Sequence, residues 1–291
     1  MTAGGPIFET RTAPGVRQYG EEVDGIVGNE RIAGASSISK AFSILDLFSA
    51  ERPIYTADEI TAALGCSRPQ GYRYIRDLCQ AGFLIRSASA YRLGARAIEL
   101  DYIVRQSDPL LRAAGQTMRE ICEESGCDVL LTSLVGDRII TIHHERGTDP
   151  TTVSYSRGRV LPRFSGAGSK AIVAALPLGQ QRSFFHQFLP LESHSSLGST
   201  WEEARIALKD IKRRGIAISE GELEPENVGI AAAIPVEASG TYSSLVLVVG
   251  AARYRTTDPT SIARLVKAAA LRVADQLRAA PLPQIAIRSA G

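Results

Sequence analysis

The segment from Thr56 to Leu93 constrains the chain most, because two helix starts, a tight turn and a hairpin follow one another inside it. Thr56-Ala57-Asp58-Glu59 has the form of a capping box, in which a hydroxyl accepts from an orphan amide and a carboxylate reaches back to the cap. Ser67-Arg68-Pro69-Gln70 repeats that form ahead of a second apolar-periodic run. Between them, Gly65 can take the left-handed conformation that ends a helix. Two short helices joined by such a turn predict a helix-turn-helix.

The second of these helices is expected over about residues 68–81. At 100° per residue, Gly71, Tyr74, Ile75 and Leu78 fall on one side, and Pro69, Tyr72, Arg73 and Arg76 on the other. A face of two arginines, a tyrosine and a proline does not belong in a core. Phe83–Arg86 and Tyr91–Leu93 then read as two strands about the polar Ser87-Ala88-Ser89 turn, a wing with an arginine on each arm. From Ser67 to Arg92 there are five arginines (Arg68, Arg73, Arg76, Arg86, Arg92) against one acid, Asp77. The chain as a whole is nearly neutral at +2, so this local excess, rather than the net charge, is the footprint expected of phosphate binding.

A chain of 291 residues should hold more than one domain. Residues 1–35 have no sustained periodicity and are expected to be a disordered leader. Residues 36–94 form the expected winged helix-turn-helix. It opens with an amphipathic helix carrying Ile38, Ala41, Phe42, Leu45 and Phe48 on one face and ending before Pro53. A linker helix is expected over 95–108 and an effector-binding domain over 109–280, followed by a flexible tail at 281–291. In the larger domain the pattern predicts strands at 129–135, 138–144, 153–156, 216–219, 230–237 and 243–249. Helices are predicted near 110–123, 168–175, 180–188, 201–213 and 259–279. A mostly antiparallel sheet flanked by helices is an α+β layer fold.

These segments together resemble the isocitrate lyase regulator (IclR) family of bacterial transcription factors, from about Ser37 to Ala279. The resemblance rests on Ser39–Leu45, Leu64-Gly65-Cys66-Ser67-Arg68, Tyr72-Arg73, Gly82-Phe83-Leu84 and Tyr91-Arg92-Leu93-Gly94. In the second domain it rests on Gly158–Pro162, Ser169-Lys170-Ala171 and Arg214–Ala217. It implies a winged helix-turn-helix, a linker helix and a GAF-like effector domain. It also implies a homodimer or tetramer that binds a palindromic operator in double-stranded DNA and responds to a small organic effector. Two departures fall in segments that line the family's effector pocket. Arg163, Phe164 and Gly166 stand where an apolar residue, His and Thr are common. The loop through Glu224-Pro225-Glu226-Asn227 is slightly longer, and the cysteine often found beyond it is absent.

In a helix-turn-helix the N-terminal residues of the second helix lie over base edges in the major groove. That assigns Ser67, Arg68, Pro69, Gln70, Tyr72 and Arg73 to DNA. At least one of Arg68, Gln70 and Arg73 is expected to read a base, since arginine pairs with guanine and glutamine with adenine. Arg76, Arg86 and Arg92 are expected on the phosphates. For the effector, the segments matching the family pocket offer Phe164, Ser165, Gly166, Ala167, Ser219, Glu220, Ile230, Ala232, Leu247 and Val249. A ring stacked on Phe164 and a carboxylate at the helix start favour an aromatic or short aliphatic acid.

Other chemistries find less support. His143-His144-Glu145 has no third metal ligand, because His143 and Glu145 share one face of a strand and His144 takes the other. Gly166–Lys170 lacks the P-loop pattern, and no G-x-S-x-G elbow surrounds a serine. No catalytic residue, metal or cofactor is expected. The four cysteines show no C-x-x-C pair, and with no signal-peptide pattern they are expected as reduced thiols in a cytoplasm. The expected function is a ligand-responsive regulator, read as a repressor of a catabolic operon. The alternative is a GAF-like binding or catalytic protein whose winged helix docks protein.

Overall fold

A computed structural model describes residues 36–149, 151, 153–235 and 241–279. The expected leader and tail lie outside these residues. The chain divides into two compact units between Gly94 and Ala95.

The first unit contains α1 (Ser37–Ser43), a 3₁₀ turn (Leu45–Leu47), β1 (Tyr55–Thr56), α2 (Ala57–Ala63), α3 (Arg68–Gln80), β2 (Leu84–Ser87) and β3 (Ala90–Leu93). Its capping chemistry is half as expected. Thr56 Oγ1 accepts from the Glu59 amide while Glu59 Oε2 accepts from the Thr56 amide, a complete box. At α3 the box does not form. Ser67 Oγ donates to Gln70 Oε1 at 3.2 Å instead of capping a backbone amide, and Pro69 at the first turn removes one orphan donor anyway. Gly65 takes φ +58° between the two helices. Gly71, Tyr74, Ile75 and Leu78 are the buried side of α3, meeting Ile44, Ile60, Leu64 and Leu84 in one core.

Two details differ from the sequence reading. The opening helix stops at Ser43, tightens into the 3₁₀ turn, and buries Ile44 while Ile38 and Phe42 stay exposed. Ser43 Oγ bonds back to the Lys40 carbonyl, a local bond that competes with helix propagation. The wing is three-stranded, in order β1-β3-β2, because Tyr55 and Thr56 pair with Tyr91 and Ala90. A two-residue strand is too short to show a period-2 pattern.

The second unit begins with α4 (Arg96–Ser107) and α5 (Pro109–Ser125), then β4 (Asp128–Val135), β5 (Arg138–Glu145) and β6 (Val160–Leu161). After these come α6 (Ala167–Ala175), α7 (Leu178–Phe188), a 3₁₀ turn (Leu189–Leu191), α8 (Trp201–Arg214), β7 (Ala217–Glu220), β8 (Asn227–Ile234) and β9 (Ser243–Gly250). α9 (Ala251–Tyr254) and α10 (Pro259–Ala279) close it. The strands form one antiparallel sheet in the order β6-β5-β4-β9-β8-β7.

α5 and α10 cover one face, where Val129, Leu131, Ile230, Ala232, Leu245, Leu247 and Val249 pack against Met118, Ile121, Val266 and Val273. α6 covers the other face, over Leu130, Ala231, Val246 and Val248. The expected strand at 153–156 is absent; that segment is irregular, and the edge strand is Val160–Leu161. Alternation over four residues is too short a signal to separate a strand from an extended loop.

Candidate nucleic-acid interface and ligand cavity

Every residue assigned to DNA lies on the solvent side of its unit. Ser67, Arg68, Pro69, Gln70, Tyr72, Arg73 and Arg76 are exposed along α3, and Arg86 and Arg92 are exposed on the wing strands. Tyr72 alone keeps 48% of its surface exposed, large for an aromatic ring on a helix whose opposite side is core. Arg68 Nη2 pairs with Asp58 at 3.2 Å between side chains 75% and 59% exposed, a pair weak enough for a phosphate or base edge to displace. Arg73 leans on the Tyr74 ring at 5.4 Å, and Arg86 Nε donates to the Ala88 carbonyl near the wing tip. Arg73 and Arg92 have no ion pair among the described residues, so their guanidinium groups face solvent uncompensated. The opposite, buried side of α3 is held close to α2 at Gly71, where an added Cβ would meet Thr61 Oγ1 at 2.4 Å.

In the second unit a cavity of about 40 Å³ lies on the α6 side of the sheet. Its floor is Leu130, Val246, Val248 and Gly229, and Ala167 and Gly168 at the start of α6 form one wall. Val153, Tyr155, Leu223 and Glu224 close it from loops and Leu161 from β6, with Ser219 and Asn227 as further polar groups. This is a mostly apolar concavity with a few polar groups, the composition of a small-molecule site. Its volume accommodates about one or two waters, so an organic ligand requires the loop residues to move.

Of the ten expected effector residues, Ala167 and Ser219 border this cavity. Ser165 is buried beside it in sequence, its Oγ without a hydrogen-bond partner among the described residues. Glu220 is exposed at the end of β7. Ile230, Ala232, Leu247 and Val249 belong to the core under α5 and α10 and do not border this cavity; their neighbours Ala231, Val246 and Val248 face α6. Phe164 is fully buried, its ring against Phe184 and Phe185 at 5.7 and 5.3 Å, so it is not open to stack on a ligand in this structure. The Gly166 amide is already engaged. It donates to Glu222 Oε2 at 2.8 Å, while the other Glu222 oxygen pairs with the buried Lys170 ammonium. Ser196 Oγ completes the set at 2.6 Å.

The remaining polar clusters are accounted for locally. His143 Nε2 and Glu145 Oε1 are 2.8 Å apart on one face of β5, and His144 lies 3.5 Å from the buried Asp128 on the other. Among the described residues no group of three or more metal-binding side chains converges. Arg163 turns into the protein, pairing with Glu192 at 2.9 Å and stacking on Phe188.

Comparison with known proteins agrees with both units. The IclR helix-turn-helix domain matches residues 37–88, and the description "Bacterial transcriptional regulator IclR C-terminal" matches residues 103–275. The chain belongs to the IclR family. Among its relatives, the HTH-type transcriptional regulator KipR of Bacillus subtilis is 26% identical over 68% of this chain and 79% of KipR. XynR of Escherichia coli is 24% identical over 65% of this chain and 75% of XynR. A crystal structure of an IclR-type regulator from Silicibacter is similar at a TM-score of 0.71 and 25% identity, covering 85% of this chain and 98% of that one. An IclR homologue from Microbacterium hydrocarbonoxydans, solved with 4-hydroxybenzoate, shares the fold at a TM-score of 0.64 and 18% identity, over 84% of this chain and 100% of that one. The protein is thus a transcriptional regulator with a DNA-binding helix-turn-helix and an IclR effector domain.

Within that IclR effector domain, several cavity residues escaped the sequence reading: Tyr155, Leu161, Leu223, Asn227 and Gly229. Asn227, a buried polar residue opening an otherwise apolar strand, was a usable signal. Tyr155 and Leu223 were not legible, because loops carry no period that tells inward from outward.

Proposed function

We propose that this regulator binds a palindromic operator as a dimer, through α3 and the wing, and represses a catabolic operon until a small organic acid enters the cavity on the α6 side of its effector domain. The observation that carries the reading is the exposed Arg68, Gln70, Tyr72 and Arg73 face of α3, which its own unit leaves uncovered. Pairing of two copies is supported by α4, which buries none of its residues and leaves the large apolar side chains Ile98, Tyr102, Ile103 and Val104 exposed, as an association surface does. A small organic ligand is supported by the mostly apolar cavity beside the first turn of α6, and the choice of an acid by the 4-hydroxybenzoate held by the Microbacterium homologue. The site does no catalysis in this reading and uses no cofactor or metal. The setting is the cytoplasm, which accords with the finding that no described helix is long and apolar enough to cross a membrane.

The test is selection of DNA fragments by the purified protein, followed by gel-shift titration of the recovered sequence. Recovery of an inverted repeat, released by 4-hydroxybenzoate or a related acid, is the expected result. Recovery of no sequence preference, with binding insensitive to salt, would refute it.

A further inference from the structure

The cavity cannot take an organic ligand without displacing the loops around it, and one of those loops is tied to α4. Arg157 Nη2 donates to Asp101 Oδ1 at 2.6 Å, while Asp101 Oδ2 accepts from Arg105 Nε within the helix. Arg157 belongs to the irregular segment 153–159, whose Val153 and Tyr155 border the cavity. The same segment is clasped by a second cavity residue, since the Ser154 amide donates to Glu224 Oε1 at 2.8 Å. It is clasped to the sheet as well, the Gly158 amide donating to the Thr141 carbonyl.

Two further properties make this tie consequential. The Arg157 side chain is only 18% exposed, and its Nη1 is buried without a hydrogen-bond partner among the described residues. Pulled away from Asp101, that guanidinium would be left desolvated and unpaired, a state proteins avoid. α4, for its part, buries no residue against its own unit, so little apolar packing resists a pull on it. Asp101 responds electrostatically: the hydrogen bond from Arg157 holds its carboxyl below the ordinary aspartate range.

We infer that the Asp101–Arg157 ion pair is the link through which the cavity wall sets the position of α4, with both side chains acting as positioning residues. This rests on the ligand-responsive reading above. A ligand that moves Tyr155 carries Arg157 with it, and Asp101 with its helix follows, because separating the pair is the costlier alternative. The two arrangements of α4 are then the states between which ligand and DNA divide the population.

Two measurements on the full chain test the inference. In hydrogen exchange without DNA, Asp101→Asn should raise exchange in segment 153–159 as well as in α4, and Arg157→Gln should raise it in α4 as well as in its own segment. Arg105→Gln, which cuts only the intrahelical bond, should leave 153–159 unchanged. If each substitution loosens only its own element, or Arg105→Gln acts like Asp101→Asn, the link is refuted. In operator titrations, Asp101→Asn and Arg157→Gln should shift Kd in the same direction by about five-fold or more, the lower end of ordinary coupling, and the double variant should shift it no further. Unchanged Kd, or additive shifts, would also refute the link. A wild-type protein that binds no operator would instead sink the functional reading, and the exchange data would still decide the link.

Discussion

Gly71→Ala probes whether the recognition helix is held by steric contact with α2. A Cβ at Gly71 would lie 2.4 Å from Thr61 Oγ1 and 3.0 Å from Thr61 Cγ2. Thr61 is buried and cannot swing away freely, since its hydroxyl donates to the Ala57 carbonyl at 2.7 Å. Overpacking of this kind costs about 1–3 kcal/mol, and rotating Thr61 would forfeit about 1 kcal/mol of hydrogen bonding. Against this, alanine is better in a helix interior than glycine by about 1 kcal/mol. The net expectation is a loss of about 1–3 kcal/mol, which is a roughly 5–150-fold fall in protection. Native-state hydrogen exchange of the α3 amides reads it directly. Unfolding followed at Trp201, the single tryptophan, is the internal control: it lies in the other unit and should not move. In a Thr61→Ala background the obstacle is gone, so the same glycine substitution should become neutral or stabilising. Equal losses in both backgrounds, or protection at or above wild type in Gly71→Ala alone, would refute the argument.

Further outcomes follow from the same geometry. Arg73→Ala should weaken binding to the selected operator far more than to random DNA, whereas Arg92→Ala should weaken both alike and reduce the slope of log K against log salt by about one; anisotropy titrations at several salt concentrations separate the two. Lys170→Met takes the cation from the half-buried Glu222 carboxylate, which keeps its hydrogen bonds from the Gly166 amide and Ser196 Oγ, and should cost about 1–3 kcal/mol in urea unfolding. The Thr56 amide and hydroxyl hold the Glu59 carboxyl below the ordinary glutamate range, as the Ser199 and Thr200 amides do for Glu203. A depressed carboxylate contributes stability above its unfolded value of about 4.3 and loses it as pH falls through the lower folded value. The difference in melting temperature between wild type and Glu59→Gln should therefore be constant near neutrality and narrow below that pH. A difference that widens on acidification would reverse the sign of the argument.

Much of the DNA-facing unit was legible in the sequence because its signals are local. The Thr56–Glu59 box, the left-handed Gly65 and the split of α3 into a Gly71-Tyr74-Ile75-Leu78 side and an arginine side all follow from spacing along a single helix or turn. The last helix, Pro259–Ala279, was equally plain, as 21 residues give a 3.6 period room to show itself. The lining of the cavity on the α6 side was less legible. Alternation in β8 and β9 placed Ile230 with Ala232 and Leu247 with Val249, but both faces of this sheet are covered by helices, and period 2 says nothing about which of two apolar faces borders a space. The burial of Phe164 was not legible because its two neighbours in the aromatic cluster, Phe184 and Phe185, are 20 and 21 residues away along the chain.

By itself, then, the order of residues determined the helices, their caps, the sign of charge on α3 and the family to which the chain belongs, all properties of short stretches or of their succession. Only the folded arrangement decided that the Gly166 amide is occupied by Glu222, that the expected strand near Tyr155 is a loop closing a cavity, and that Arg157 reaches Asp101 across 56 positions. Contacts of that kind arise when separate elements pack, and the direction each side chain takes there is set by its neighbours in space, which a linear pattern does not contain.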